Sequence, residues 1–125
     1  MDLKSGYPFW AIKNGLMSPF PRLERDLRCD VAIVGGGITG ALIAQELATH
    51  GHDVALVEQR DIGWGSTAAS TALLQYEIDT HMVDLAKDYG ERDAALAYRA
   101  CAAAIPLVQA LAREVRDVAR PRRVP

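Results

Sequence analysis

Three glycines between two short apolar runs are the feature of this sequence that most constrains its fold. Gly35, Gly37 and Gly40 have the spacing GxGxxG and directly follow the apolar run 31–34. A helical pattern of apolar residues covers 38–50, Gly51 follows it, and a second apolar run covers 54–57. Short continuous apolar runs are typical of parallel strands buried on both faces, and glycine is favoured just after a helix. The order of these elements predicts a right-handed parallel βαβ unit.

Each glycine of this motif has a separate task in a βαβ unit that binds a dinucleotide. Gly35 permits a tight turn, Gly37 lets the backbone approach a pyrophosphate, and Gly40 lets the helix pack close to the strand. The free amides at the start of the helix and the positive end of its dipole favour an anion at the same place. The segment from Asp30 to Glu58 is therefore predicted to bind the ADP half of a dinucleotide.

Glu58 stands at the end of the second apolar run. A carboxylate there can accept hydrogen bonds from both ribose hydroxyls of the adenosine, and it would repel the additional 2′-phosphate of NADP. A solvated charge at a strand end is the alternative interpretation. The glycines and this carboxylate fit FAD and NAD equally, because the two cofactors share their ADP half.

The passage that follows Glu58 favours FAD over NAD. Residues 63–71 are rich in glycine, serine and threonine, including Gly65, and supply amides and hydroxyls close to the same strand end. A simple NAD domain would be expected to continue with another helix and strand. A second polar turn suits the far half of the pyrophosphate and the ribityl chain of a flavin nucleotide. The alternative is a surface loop in which Ser66 or Thr67 caps a short helix.

The run 31–70, VAIVGGGITGALIAQELATHGHDVALVEQRDIGWGSTAAS, resembles the amino-terminal FAD-binding region of the D-amino-acid oxidase superfamily. That superfamily includes glycine oxidase, sarcosine oxidase and D-amino-acid dehydrogenase. The stretch 65–75, GSTAASTALLQ, is also similar to the corresponding segment of its flavin-dependent glycerol phosphate dehydrogenases. The resemblance implies FAD as the cofactor. The implied fold class is α/β, an incomplete Rossmann-type βαβ FAD/NAD(P)-binding domain with a helical carboxyl-terminal part.

The resemblance also assigns cofactor contacts to individual positions. It places Gly35, Gly37, Ile38, Thr39 and Gly40 at the pyrophosphate turn, Glu58 at the ribose, and Gln59 and Arg60 beside the adenosine. It places Ser66, Thr67, Ser70 and Thr71 at the second turn, on the pyrophosphate and ribityl side, and Gln75 where the chain passes near the isoalloxazine ring.

The function implied by the resemblance is oxidation of an amine or amino acid by hydride transfer to FAD. Members of the superfamily are longer and carry their substrate domain in the part that follows, so the sequence is expected to be a fragment that lacks this domain. No residue here is identified as an acid, base or nucleophile, and the catalytic residues are unknown. Because a flavin itself accepts the hydride, few catalytic side chains are needed. The alternatives are an NAD-binding dehydrogenase fragment and a non-catalytic helical interaction module.

Four segments follow from the pattern along the chain. Residues 1–28 are predicted to form an irregular arm, whose scattered prolines and aromatics show no period and whose aromatics could anchor it on a neighbouring surface. Residues 29–78 form the FAD-binding unit, within which 73–78 suits a short strand. Residues 79–119 read as helical, with a cap from Asp79 or Thr80, a break near Gly90 and a kink at Pro106. Residues 120–125, with three arginines and two prolines, form a tail.

Composition sets the remaining expectations. Of 125 residues, 50% are hydrophobic and 24% are charged, as in a soluble globular protein that buries a core. The net charge of −2 gives no basic surface for nucleic acid.

The two cysteines are far apart, which predicts buried free thiols in the cytoplasm rather than a metal site or disulfide. The apolar stretch 100–112 is shorter than the ~20 residues of a membrane span, so no transmembrane segment is expected. The sequence leaves the oligomeric state open.

Overall fold

The computed structural model describes residues 6–14 and 20–119, with side chains up to Val115. Its elements in chain order are α1 (Phe9–Asn14), β1 (Val31–Val34), α2 (Ile38–Thr49), β2 (Val54–Val57), α3 (Met82–Tyr89) and α4 (Glu91–Ala119). The chain divides into two units between Thr71 and Ala72. The predicted tail 120–125, and residues 1–5 and 15–19 of the predicted arm, lie outside the described residues.

The predicted βαβ unit is present in the first unit. β1 and β2 are parallel neighbours, with Val31 opposite Val54 and Val34 opposite Val57. The Gly35 amide extends this ladder by donating to the Val57 carbonyl at 2.8 Å. Parallel strands need a crossover connection, and α2 supplies it. Both apolar runs are therefore strands, as the sequence predicted.

The expectation that the first strand is buried on both faces is wrong. Helix α2 packs against β1 and β2. Val31 and Ile33 are half-buried, whereas Ala32 and Val34 are exposed, Val34 to 87%. Successive side chains of a strand point to opposite faces, and a single crossover helix covers only one of them. The other face of β1 is left open among the described residues.

The carboxyl terminus of α2 ends as the sequence predicted. Gly51 has a positive φ of 86°. Its amide donates to the Ala48 carbonyl at 3.0 Å, and the His52 amide donates to the Leu47 carbonyl at 3.1 Å. These two bonds satisfy carbonyls of the last helical turn that have no partner within the helix.

The second unit contains α3 and α4, which pack against each other and are separated at Gly90 as predicted. The predicted cap from Asp79 or Thr80 is wrong, because α3 begins only after His81 and has no side-chain cap. The Thr80 carbonyl instead accepts a hydrogen bond from the Tyr98 hydroxyl of α4 at 2.9 Å. This contact holds the chain just before α3.

Helix α4 continues through Pro106. Ala94 is fully buried, and half-buried positions then recur along the helix at Ala97, Cys101, Val108 and Leu111. These positions form an apolar stripe along α4, whereas the apolar residues Ala104 and Val115 are exposed.

The portion Glu91–Val115 of α4 is long and apolar enough to cross a membrane, judged by length and composition alone. The apolar part of the helix extends further than the stretch 100–112 considered in the sequence. The core helix of a soluble protein can have the same length and composition. The expectation of no transmembrane segment therefore stays a prediction.

Two further segments differ from the expectations. The predicted irregular arm contains the six-residue helix α1, in which the amides of Ala11 and Ile12 donate to the Pro8 carbonyl. Six residues are too few to show a helical period in the sequence. Residues 73–78 form no strand, and the described sheet consists of β1 and β2 only.

Burial among the described residues is slight. Ala68 and Ala94 are the buried hydrophobic residues there, at 7% and 0% exposure. Cys29 and Cys101 are free thiols, but they are half-buried rather than buried. The core expected from composition is therefore not formed by these elements alone, because a two-stranded sheet and one crossover helix enclose little volume.

Substitution of Gly40 by alanine is expected to destabilise the first unit by about 1–3 kcal/mol, in the range of overpacking. A Cβ atom at Gly40 would collide with the carbonyl of Gly35, although alanine inside a helix is otherwise favoured by about 1 kcal/mol over glycine. Thermal unfolding followed by circular dichroism measures the change. Gly37→Ala is the matched control, because its Cβ would meet only the Thr67 hydroxyl, at 3.2 Å. Equal stability of the Gly40→Ala variant and the parent chain would contradict the packing argument.

Candidate cofactor site at the glycine turn

The glycine turn joins the carboxyl end of β1 to the first residue of α2. Gly35 has a φ of 109°, and Gly37, directly before the helix, is extended at φ −73° and ψ −178°. The first amides of a helix have no partner within it. The turn therefore presents the amides of the first helical turn beside the end of the parallel sheet, where ligands of open α/β sheets bind.

Glu58 follows β2 and is held by two backbone amides. Its Oε2 accepts a hydrogen bond from the Gly36 amide at 2.7 Å, and its Oε1 accepts one from the Arg60 amide at 3.0 Å. The Gly36 amide, followed by that of Arg60, lowers the pKa of the carboxyl below its ordinary value of 4.5. Glu58 is therefore an ionised and oriented acceptor rather than a freely solvated strand-end charge.

The surroundings of Gly37 differ from those of its neighbour. A Cβ at Gly37 would meet only the Thr67 hydroxyl among the described residues. A Cβ at Gly36 would collide with the Ile62 side chain and lie 3.1 Å from the Glu58 Cβ. Packing within the chain thus explains a glycine at Gly36 but not at Gly37. With only a hydroxyl beside it, Gly37 keeps its backbone accessible, as the close approach of a pyrophosphate requires.

Gly36 is a residue of this site that was not predicted from the sequence. The GxGxxG spacing passes over this position, and it contains no signal that the middle glycine of the triplet touches Glu58. In the structure Gly36 is buried, and its carbonyl also accepts a hydrogen bond from the Gly63 amide at 2.7 Å. Gly36 is the point at which the turn, the carboxylate and the following polar passage meet.

The polar passage lies against the glycine turn. Besides the bond between Gly63 and Gly36, the Thr67 hydroxyl accepts a hydrogen bond from the Ile38 amide at 3.0 Å. Thr67 therefore caps α2, and not a helix within its own loop. The Ile38 amide was predicted to face the pyrophosphate. Because the Thr67 hydroxyl is hydrogen-bonded to this amide, both groups lie at one site.

Most of the residues predicted to bind the cofactor belong to the first unit. The glycine turn contributes Gly35, Gly37, Ile38, Thr39 and Gly40; the end of β2 contributes Glu58, Gln59 and Arg60; and the second turn contributes Gly65, Ser66, Thr67, Ser70 and Thr71. A Cβ at Gly65 would lie 3.6 Å from the guanidinium of Arg60. Gln75 belongs to the second unit, and its assignment near the flavin ring stays a prediction.

The amino-terminal arm contacts the second turn. The Trp10 indole nitrogen donates to the Ser70 carbonyl at 2.8 Å, and the rings of Tyr7 and Trp64 meet edge to face with centroids 6.4 Å apart. Two aromatic residues of the arm thus anchor it on a neighbouring surface, as the sequence suggested. Within residues 6–14 and 20–119, no group of three or more histidine, cysteine, aspartate or glutamate side chains could hold a metal ion.

Comparison with known proteins decides the family. The sequence profile of the FAD dependent oxidoreductase family, DAO, matches residues 30–123. The chain belongs to this family. FAD is the cofactor of its members, and the cofactor inferred from the polar passage after Glu58 is confirmed. No solved structure matches the chain.

Several curated proteins are similar to the chain. A Bacillus subtilis protein, YhfW, named as a candidate Rieske 2Fe-2S iron-sulfur protein, is 36% identical over 85% of this chain and 21% of its own length. Gamma-glutamylputrescine oxidoreductase of Escherichia coli K12 is 34% identical over 66% of this chain and 19% of its own length. Aerobic glycerol-3-phosphate dehydrogenase of Staphylococcus epidermidis is 52% identical over 40% of this chain and 9% of its own length. The chain therefore spans about a fifth of the first two relatives.

Acid should destabilise the chain partly through Glu58. In the folded state the pKa of Glu58 lies below 4.5. At pH values between this lowered pKa and 4.5, the unfolded chain therefore binds more protons than the folded chain. The stabilisation is present above pH 4.5 and is lost as the pH falls through the lowered pKa. Glu58→Gln should reduce the fall in thermal midpoint between about pH 6 and about pH 3. Glu24→Gln, at an exposed glutamate, should leave that fall unchanged; an identical effect of both substitutions would contradict the assignment.

Proposed function

We propose that this chain is the FAD-binding portion of a longer flavin-dependent oxidoreductase that oxidises an amine or amino acid by hydride transfer to FAD. The observation that carries the proposal is the glycine turn, in which a Cβ at Gly37 would meet only the Thr67 hydroxyl, together with the Glu58 carboxylate held by the Gly36 amide. Membership of the FAD dependent oxidoreductase family supports the cofactor. An incomplete Rossmann-type domain is the fold that we propose for this part.

The residues of the glycine turn fit the diphosphate of FAD. The amides of Thr39 and Gly40 belong to the first turn of α2, where free amides and the helix dipole favour an anion. The Thr67 hydroxyl can donate its own proton to a phosphate oxygen, because in its bond to Ile38 it acts only as the acceptor. The backbone and this hydroxyl can therefore bind the diphosphate without a cationic side chain.

Glu58 fits the ribose of the adenosine. An ionised carboxylate offers about four acceptor positions, and the amides of Gly36 and Arg60 use one on each oxygen. Each oxygen retains a position for a ribose hydroxyl. The bound flavin supplies the acceptor for two electrons and a proton, whereas the residues of this chain bind and orient it.

The substrate class rests on the relatives. Gamma-glutamylputrescine oxidoreductase matches over 84 residues, and the glycerol phosphate enzyme matches over 50. We therefore favour an amine or amino acid as the small-molecule substrate. The relatives extend far beyond the matched part, and we assign the substrate domain and the catalytic residues to the corresponding part of the longer protein.

The proposed location is the cytoplasm, with α4 packed on protein rather than lipid. Arg99 and Arg113 lie on α4 within the apolar portion and are exposed. Charged side chains are costly at the centre of a bilayer. The contact of α4 with α3 and the fully buried Ala94 also favour a helix that packs within a protein. Nucleic acid is not expected as a partner, because the net charge is −2.

FAD titration of the 125-residue chain tests the proposal. Saturating FAD should raise the thermal midpoint, because a ligand that binds only the folded state stabilises it, and the flavin absorbance should survive desalting. Gly37→Val should abolish both effects, because its side chain would occupy the space for the pyrophosphate. NAD should produce neither effect.

The control measurement is thermal unfolding of the Gly37→Val variant without ligand. It separates loss of binding from loss of fold, since only the Thr67 hydroxyl lies near the added Cβ. An unchanged midpoint and unbound flavin at saturating FAD would contradict the proposed function. A stable oligomer that ignores FAD and survives Gly37→Val would instead favour the helical interaction module.

A further inference from the structure

The amino-terminal arm contacts the second turn, residues 63–71, near both ends of that turn. At one end, the rings of Tyr7 and Trp64 meet edge to face at an interplanar angle of 77°. At the other, the Trp10 indole donates to the Ser70 carbonyl, across 60 residues of sequence. The arm, which precedes the βαβ unit in the sequence, therefore contacts this turn near both of the turn's ends.

The second turn has restraints along its length, including a bond from the Ala69 amide to the Gly65 carbonyl at 3.2 Å. Its start is fixed by the bond between Gly63 and Gly36, and its middle by Thr67 and by Ala68, which is 7% exposed. Towards its end, the Ser70 amide donates to the Thr67 carbonyl over a long 3.4 Å. Turns rich in glycine and small residues gain little rigidity from their own side chains. The short bond from Trp10 is thus an important restraint at this end.

Trp10 is well placed to provide that restraint. It lies on α1, it is half-buried, and its indole has a single donor with a fixed direction. The ring of Phe9 meets it edge to face at 4.9 Å, and the Lys13 ammonium lies 5.3 Å from the centre of the Trp10 ring. These contacts restrict the orientation of the Trp10 indole on α1.

We propose that residues 6–14 of the arm are a latch on the cofactor site and that Trp10 is a positioning residue for its flavin-side half. The inference rests on the proposed function, because the second turn is predicted from the sequence to hold the far half of the pyrophosphate and the ribityl chain of FAD. The ADP half is bound by the glycine turn, Glu58 and the Thr67 hydroxyl, none of which has a described hydrogen bond to the arm. Loss of the latch should therefore weaken binding of FAD and spare binding of ADP.

The test compares FAD and ADP binding to the full chain and to Trp10→Phe, which keeps an aromatic ring but lacks the donor. Loss of one hydrogen bond should raise the Kd for FAD by about three- to tenfold. The Kd for ADP should stay within about twofold. Phe20→Leu is the matched control, because Phe20 is another aromatic of the predicted arm, is 72% exposed and has no ring contact within the described residues. It should change neither value.

Amide hydrogen exchange of residues 63–71 without ligand gives a readout that does not depend on FAD. Trp10→Phe should accelerate exchange there, and Phe20→Leu should not. Unchanged exchange, unchanged FAD affinity, or equal weakening of FAD and ADP would each overturn the latch. Failure of the parent chain to bind FAD would overturn the proposed function, and with it the role of the latch in cofactor binding. If Trp10→Phe fails to fold, Tyr7→Leu removes the other contact from a residue that is 77% exposed, and the same outcomes apply.

Discussion

The hydrogen bond from the Gly36 amide to the Glu58 carboxylate is the interaction on which the first unit depends. It joins the turn after β1 to the residue after β2, at 2.7 Å. Because Gly36 has no side chain, Ile62 and Glu58 pack directly against its backbone. The same bond is the largest cause of the lowered pKa of Glu58. One contact thus joins the two strand ends and favours the ionised form of the group proposed to bind the ribose.

The local part of this arrangement could be predicted from the sequence. The strands, the helix and its end at Gly51 depend on apolar periodicity and on glycine conformation, which neighbouring residues reveal. The bond between Ile38 and Thr67 could not be predicted in this way, because it joins residues 29 positions apart. Gly36 was missed because the motif spacing assigns it no task. The exposure of Val34 depends on which face α2 covers, and a continuous apolar run contains no such information.

The small number of buried residues shows why the apolar composition was a poor guide to the presence of a core. An apolar fraction of 50% suffices for a core only if layers of structure can enclose it. Here one helix covers one face of two strands, and α3 covers part of α4. Ala68 and Ala94 are consequently the buried hydrophobic residues of the described chain, while Val34 and Leu107 remain exposed. Such open apolar faces suit a portion of a larger domain, in agreement with the small share of its relatives that the chain spans.

The two halves of the proposed cofactor site have different physical origins. The ADP half is formed by a continuous stretch of chain, in which backbone amides and Glu58 come together through a single βαβ unit. The flavin-side half depends on a turn whose position is set by contacts from Gly63 to Gly36, from Thr67 to α2 and from Trp10 to Ser70. A sequence motif can specify the first half because its residues are fixed by local structure. The second half requires long-range contacts, so substitutions distant in sequence can alter it while the motif stays intact.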